Sequence, residues 1–151
     1  LDIKRIEPNI NKVTQLLGVD VLLHFEGDKI IRTQEKVRNT DYGDILLEYI
    51  SNDQTMRPGW MEELLLCNYM FYLVKPSSTV YWFEWNQLKL MWDRNRKKWI
   101  SYGEQKIHGF SRKSARNVYY NTISVCVPLN ILLENIPSSG VLKKQGSLTW
   151  K

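Results

Sequence analysis

The sequence predicts a mixed α/β fold whose elements follow one another as αβββαβ, a mixed central sheet flanked by helices. Three observations carry this reading. Ile10, Val13, Leu16 and Leu17 recur at helical spacing ahead of Gly18. Two extended runs, residues 19–25 and 29–37, flank Glu26-Gly27-Asp28, whose glycine suits the positive φ of a tight hairpin. A third apolar run over residues 44–50 is followed by an amphipathic stretch and then a β-branched, aromatic one.

Taken in order, Asn9 or Asn11 caps a first helix that stops at Gly18, and the two hairpin strands pair antiparallel. The turn cluster at residues 39–43 delivers the third strand, whose mixed apolar content predicts a central position in a three-stranded core. Pro58 suits the first position of a long helix over residues 59–73, with Trp60, Leu64, Leu65, Tyr69 and Tyr72 on the face that covers the sheet. Pro76-Ser77-Ser78 breaks the chain before a fourth strand at residues 79–85. Asn86 caps a second helix to about Asn95, residues 118–127 form a late strand, and residues 129–134 a short helix. A single domain over residues 1–136 is expected, with a flexible tail from 137 to 151.

Composition sets bounds on function. At 151 residues, with 43% hydrophobic and 25% charged residues, the chain has the make-up of one globular domain. No apolar run approaches the roughly 20 residues that span a bilayer. The residues from Leu1 to Arg5 lack a signal-peptide pattern, so a soluble, cytoplasmic protein without a membrane partner is expected. Cys67 and Cys126 lie in apolar segments and read as reduced core residues, not as a bridge or a zinc knot. Charge is polarised: residues 1–53 hold seven Lys/Arg against ten Asp/Glu, a balance of −3, whereas residues 86–121 hold nine against two, a balance of +7. An acidic part able to hold a cation, joined to a basic part able to hold a polyanion, suits chemistry on a phosphodiester.

Gly18-Val19-Asp20 opens the first hairpin strand, and Gln34-Glu35-Lys36 lies fourteen positions later near the end of the second. Folding the hairpin sets Asp20 beside residues 34–36. A two-residue loop pairs Asp20 with Glu35, a three-residue loop pairs it with Gln34, and a bulge would reconcile the two. Over residues 7–85 this pattern resembles the PD-(D/E)xK nuclease superfamily, of the restriction-endonuclease-like and Holliday-junction-resolvase-like kind, with Val19 in place of the proline and Gln34 in the second acidic position. The resemblance implies a restriction-endonuclease-like core and a Mg2+- or Mn2+-dependent endonuclease. It implies Asp20 and Gln34 as metal ligands and catalytic residues, Glu35 as the substitute ligand, and Lys36 as the cation that positions or activates the attacking water. Glu7 corresponds loosely to an acid some members carry on their first helix. By analogy, a homodimer is implied.

Asp44 and Glu48 share a face of the third strand and are further candidates for the metal cluster; the competing reading pairs Glu48 with Lys36 or Arg38. Arg94, Arg96, Lys97, Lys98, Lys106, Arg112, Lys113 and Arg116, interleaved with aromatics, form the expected nucleic-acid-binding set, and residues 111–116 are expected on a loop. Six tryptophans in so small a chain fill a core more often than they stack on bases. The expected partner is nucleic acid, DNA ahead of RNA. The rival is a non-catalytic nucleic-acid-binding protein whose motif has degenerated, with Gln34 as the trace of that loss.

Overall fold

The computed structural model describes residues 3–113 and 116–143, with the backbone alone for residues 110–113, 116 and 117. The chain is mixed α/β, with two sheets and few helices. Its elements are β1 (Ile3–Pro8), α1 (Lys12–Leu16), β2 (Val21–Phe25), β3 (Ile30–Arg38), β4 (Asp44–Asn52), β5 (Arg57–Pro58), β6 (Tyr69–Val74), β7 (Thr79–Glu84), α2 (Trp85–Ile100), β8 (Glu104–Lys113), β9 (Arg116–Pro128), α3 (Leu129–Asn135) and β10 (Ser139–Lys143). A six-stranded sheet runs β1-β2-β3-β6-β7-β10, and a four-stranded sheet runs β5-β4-β9-β8. The larger sheet is mixed because β3 and β6 pair in parallel while its other neighbours are antiparallel.

One core serves both sheets. Met70, Tyr72, Val74 and Phe83 of the larger meet Ile45, Leu47, Val125 and Val127 of the smaller, closed by Trp85, Leu88, Trp92 and Trp99 of α2 and by Leu132. Those four α2 positions recur along one face, which is why a helix of modest propensity forms here. Four tryptophans, Trp60, Trp85, Trp92 and Trp99, are buried in the core, Trp82 is half-buried, and Trp150 lies outside the described residues.

The αβββαβ order does not hold across residues 39–74. The third strand, β4, leaves the first sheet and pairs with β9 in the second, the turn before it closing through Gly43 at φ 69°. Residues 59–73 form no helix: residues 59–68 are irregular and 69–74 are β6, running parallel to β3. Tyr-Met-Phe-Tyr-Leu-Val buries alternate side chains, and a doubly flanked strand can be apolar throughout, so a run of this kind satisfies a helical template by accident. Gly59 is there for close approach. A Cβ on it would lie 2.6 Å from the Glu48 carbonyl oxygen, and its N–H donates to Tyr49 O at 2.9 Å, laying this segment along the edge of β4.

Other differences have local causes. β1 pairs with β2 as an exposed edge strand with a bulge near Ile3 and Arg5, so it carries little alternation to read. α2 begins at Trp85 after Glu84, places Asn86 inside the helix, and runs to Ile100, beyond the expected stop. Residues 111–113 and 116 are in strands, because β8 and β9 form one long hairpin with Lys113 opposite Arg116. Ser114 and Ala115, and residues 144–151 of the expected tail, lie outside the described residues. Residues 139–143 are no loose tail but β10, pairing with β7. The apolar residues that mark α1 are not a buried face: Ile10, Val13 and Leu16 are 87%, 67% and 80% exposed. That short helix is held by Asn11, whose Oδ1 accepts from the N–H groups of Val13 and Thr14.

Candidate active site at the open end of the first hairpin

The β2–β3 register decides which residues meet. Glu26, Gly27 and Asp28 form a three-residue turn with Gly27 at φ 73° and Asp28 at φ 58°, closed by the Phe25 N–H donating to Lys29 O at 2.9 Å. Val21 consequently faces Thr33, and one step further Asp20 faces Gln34. Of the two registers open in the sequence, this is the one with the longer loop.

Asp20 immediately precedes β2, at the point where the β2–β3 ladder stops, and its own N–H donates to Thr33 O at 2.8 Å. Its Oδ2 accepts from Gln34 Nε2 at 2.5 Å and from the Glu35 backbone N–H at 2.8 Å. The carboxylate therefore satisfies a strand donor that β2 no longer reaches. Its Oδ1 accepts no hydrogen bond among the described residues. Gln34 is buried, and its Oε1 lies 2.8 Å from where a Gly18 Cβ would stand. It thus offers Asp20 its amide donor.

Alternation along β3 sorts the rest. Gln34, Lys36 and Arg38 point to one face, beside Met70, Tyr72 and Val74 of β6, and Glu35 and Val37 to the other. Glu35 is an exposed residue, yet its carboxyl is held above the ordinary glutamate value, by partial desolvation first and by the charge of Asp20 second. Cys67 lies within the influence of both Asp20 and Lys36, and burial pushes its thiol up to about 12. It is a reduced, buried residue, as its setting in sequence suggests.

Lys36 places its Nζ 5.5 Å from the ring centre of Trp60 and lines a cleft of about 640 Å3 with Glu48. Burial raises the Glu48 carboxyl; Lys36, the Trp60 backbone N–H and Arg57 oppose this, and Glu63 adds to it. No direct ion pair joins Lys36 to Glu48 among the described residues. Arg38 instead takes Asp44, through both its carboxylate and its backbone carbonyl, the latter at 2.9 Å. Asp44 is committed there, so of the two acids on β4 only Glu48 faces the lysine. Glu7 lies on β1, bonded to Arg5 at 2.7 Å and His24 at 3.1 Å.

The basic residues divide. Arg94, Lys97 and Lys98 are exposed near the end of α2, where positive charge also complements the helix dipole, and Lys106 is exposed on β8. Arg96 is engaged within the fold, 3.1 Å from Glu62 and over the rings of Tyr49 and Trp92. The side chains of Arg112, Lys113 and Arg116 lie outside the described residues. Arg57, Tyr120 and Thr122 of the cleft were not singled out in the sequence, and Trp60 was named only as part of a helix face. The Pro58-Gly59 pair between Arg57 and Trp60, a breaker in the sequence, was the signal available for those two.

Among the described residues, no three His, Cys, Asp or Glu side chains converge so as to hold a metal ion, and no helix is long and apolar enough to cross a membrane. Comparison with protein-family models, with curated proteins and with solved structures gives no match to this chain.

Proposed function

We propose that the chain hydrolyses phosphodiester bonds of nucleic acid, DNA ahead of RNA, with a magnesium or manganese ion bound beside Asp20. The observation that supports this is the meeting of Asp20 with Gln34 and the Glu35 backbone, two residues before Lys36. The donor set fits a hard cation in one respect: Asp20 Oδ1 accepts no hydrogen bond among the described residues. Magnesium is commonly held by one or two carboxylates together with substrate phosphate oxygens and water.

In this reading Asp20 holds the ion through Oδ1, and Gln34 holds Asp20, both on the face of β3 that carries Lys36, while the Glu35 side chain points to the other face. Such an ion, when bound, would polarise the phosphoryl oxygen and lower the pKa of a water it carries. Lys36 places an ammonium group where negative charge develops, and Glu48 keeps that group electrostatically anchored in the cleft. Arg94, Lys97, Lys98 and Lys106 neutralise phosphates at a distance from the chemistry. What supports the reading in the fold is α1 followed by the β2–β3 hairpin, in the expected order; β6 stands at the end of residues 59–73, where a long helix was expected.

A second reading has its own observation in favour. Asp20 already caps the free edge of β3, a structural duty that needs no metal, so the same fold would serve as a binding protein without cleavage. Incubation with labelled DNA and RNA plus Mg2+ or Mn2+, beside Asp20→Ala and Lys36→Ala, separates the two. Cleavage by wild type and its loss in both variants is the expected result; binding without any cleavage favours the second reading.

A further inference from the structure

The cleft beside Lys36 is larger than one side chain and a water-held phosphate require. Its volume, about 640 Å3, falls among ligand pockets of roughly 300–1,000 Å3 and is far too small for a double helix. Lys36 and Arg57 both line it, and neither forms an ion pair among the described residues. Two cations left without an ion-pair partner, with Glu48 and Glu63 also on the wall, suit a ligand that carries an anion at one end and hydrogen-bond donors elsewhere.

An aromatic platform is built into the same wall. Tyr120 lies across Gly109 on the neighbouring strand, so close that a Cβ at residue 109 would stand 2.9 Å from the ring. Trp60 lines the cleft but is only 9% exposed and lies beneath Lys36, which leaves Tyr120 as the accessible ring. Asn52 adds a directional donor: its Oδ1 is taken by the N–H groups of Gln54 and Thr55 at 3.0 and 3.1 Å, while its Nδ2 makes no hydrogen bond among the described residues.

We infer that this cleft receives a single unpaired nucleotide, its phosphate held by Lys36 and Arg57 and its base stacked on Tyr120 and bonded by Asn52. The inference deepens the proposed function, on which it rests for the identity of the polymer, and it adds a preference for single-stranded or splayed nucleic acid over duplex. Stacking of a base on an aromatic ring is sequence-tolerant, so the cleft selects strandedness and not sequence.

The test measures binding in EDTA, where cleavage plays no part, by fluorescence anisotropy of a labelled oligothymidylate and of a duplex of equal length. Wild type is expected to prefer the single strand at least about 10-fold. Tyr120→Leu should weaken single-strand binding by roughly 5-fold or more and leave duplex binding unchanged. Arg57→Gln should lower the slope of log affinity against log salt by about 0.7, the value for one phosphate contact on a single strand. Equal affinity of wild type for both forms overturns the inference, as does a folded Tyr120→Leu that binds like wild type. Should that variant not fold, competition on wild type decides: thymidine 5′-monophosphate must displace the oligonucleotide, and failure to do so overturns the cleft. Single-strand preference in a protein that never cleaves with Mg2+ or Mn2+ supports the cleft and removes the nuclease reading; cleavage without strand preference does the reverse.

Discussion

Arg38 of β3 donates to both the carboxylate and the backbone carbonyl of Asp44 of β4, fastening the six-stranded sheet to the four-stranded one. Both side chains are largely withdrawn from solvent, at 6% and 17% exposure. Removing one partner of such a pair strands the other's charge, which costs about 3–5 kcal/mol when burial is complete. Arg38→Met should therefore lower the urea-unfolding free energy by about 3 kcal/mol, near the bottom of that range. Arg38→Met with Asp44→Leu should recover much of the loss. Equal stability of the single and double variants would show that the charge pair is not what matters.

Gln34→Glu tests the cation site without an activity assay. The substitution replaces the amide donor 2.5 Å from Asp20 Oδ2 with a second carboxylate. Without divalent ions the variant should be less stable than wild type, by about 1–3 kcal/mol for the lost bond and the new repulsion. Millimolar Mg2+ or Mn2+ should raise its melting temperature more than that of wild type, since a ligand that binds only the folded state stabilises it. A melting temperature indifferent to both ions would count against a metal at Asp20.

Glu48 gives stability a pH dependence of known sign. Its folded-state pKa is raised, chiefly by burial, so the protonated form is the one that folding favours. Its contribution is least unfavourable below the ordinary glutamate range and becomes unfavourable as pH rises through the folded value. Glu48→Gln should therefore be more stable than wild type at neutral pH, with the difference vanishing as pH falls below that range. Denaturant titrations from acid to neutral pH measure this, and a difference that grows on acidification would reverse the sign.

Gly59→Ala should be costly although the glycine has no positive φ. The added methyl would meet Glu48 backbone atoms at 2.6 and 2.7 Å, and backbone cannot rotate aside. A loss of about 1–3 kcal/mol is expected, with the β5 segment displaced from β4. Urea unfolding gives the magnitude, and amide exchange at Met61, whose N–H donates to Glu48 O at 3.0 Å, locates the displacement.

Lys97→Ala and Lys106→Ala should each weaken nucleic-acid binding and reduce the salt slope by about 0.7–0.9, with no effect on stability beyond about 0.5 kcal/mol. Arg96→Ala should behave differently, because Arg96 bridges Glu62 and the rings of Tyr49 and Trp92. Its loss should show in unfolding more than in the salt slope.

The hairpin was legible in the sequence because Gly27 marks the turn and the strands on either side are short and regular, so Asp20 could be placed beside residues 34–36, while the choice of Gln34 over Glu35 as its partner awaited the register. The late strand, α3 and β7 were legible for the same local reasons. What escaped depends on contacts distant in sequence. Tyr69 to Val74 is a strand because β3 and β7 flank it, and no local periodicity reports those neighbours. Asp44 is drawn to Arg38 instead of Asp20 because β4 changes sheets. The cleft escaped for the same reason, since Lys36, Arg57 and Tyr120 come from three separate strands.

The pairing of β4 with β9 joins Asp44 to Pro128, and that of β7 with β10 joins Thr79 to Lys143. Loops of such length are slow to close, and the entropy of closing them is spent before any ladder compensates. During synthesis β4 and β7 must therefore wait, with apolar faces and unpaired backbone groups uncovered, until residues far downstream emerge. The hairpin at Asp20, whose paired residues lie close in sequence, can form well before either of those ladders closes.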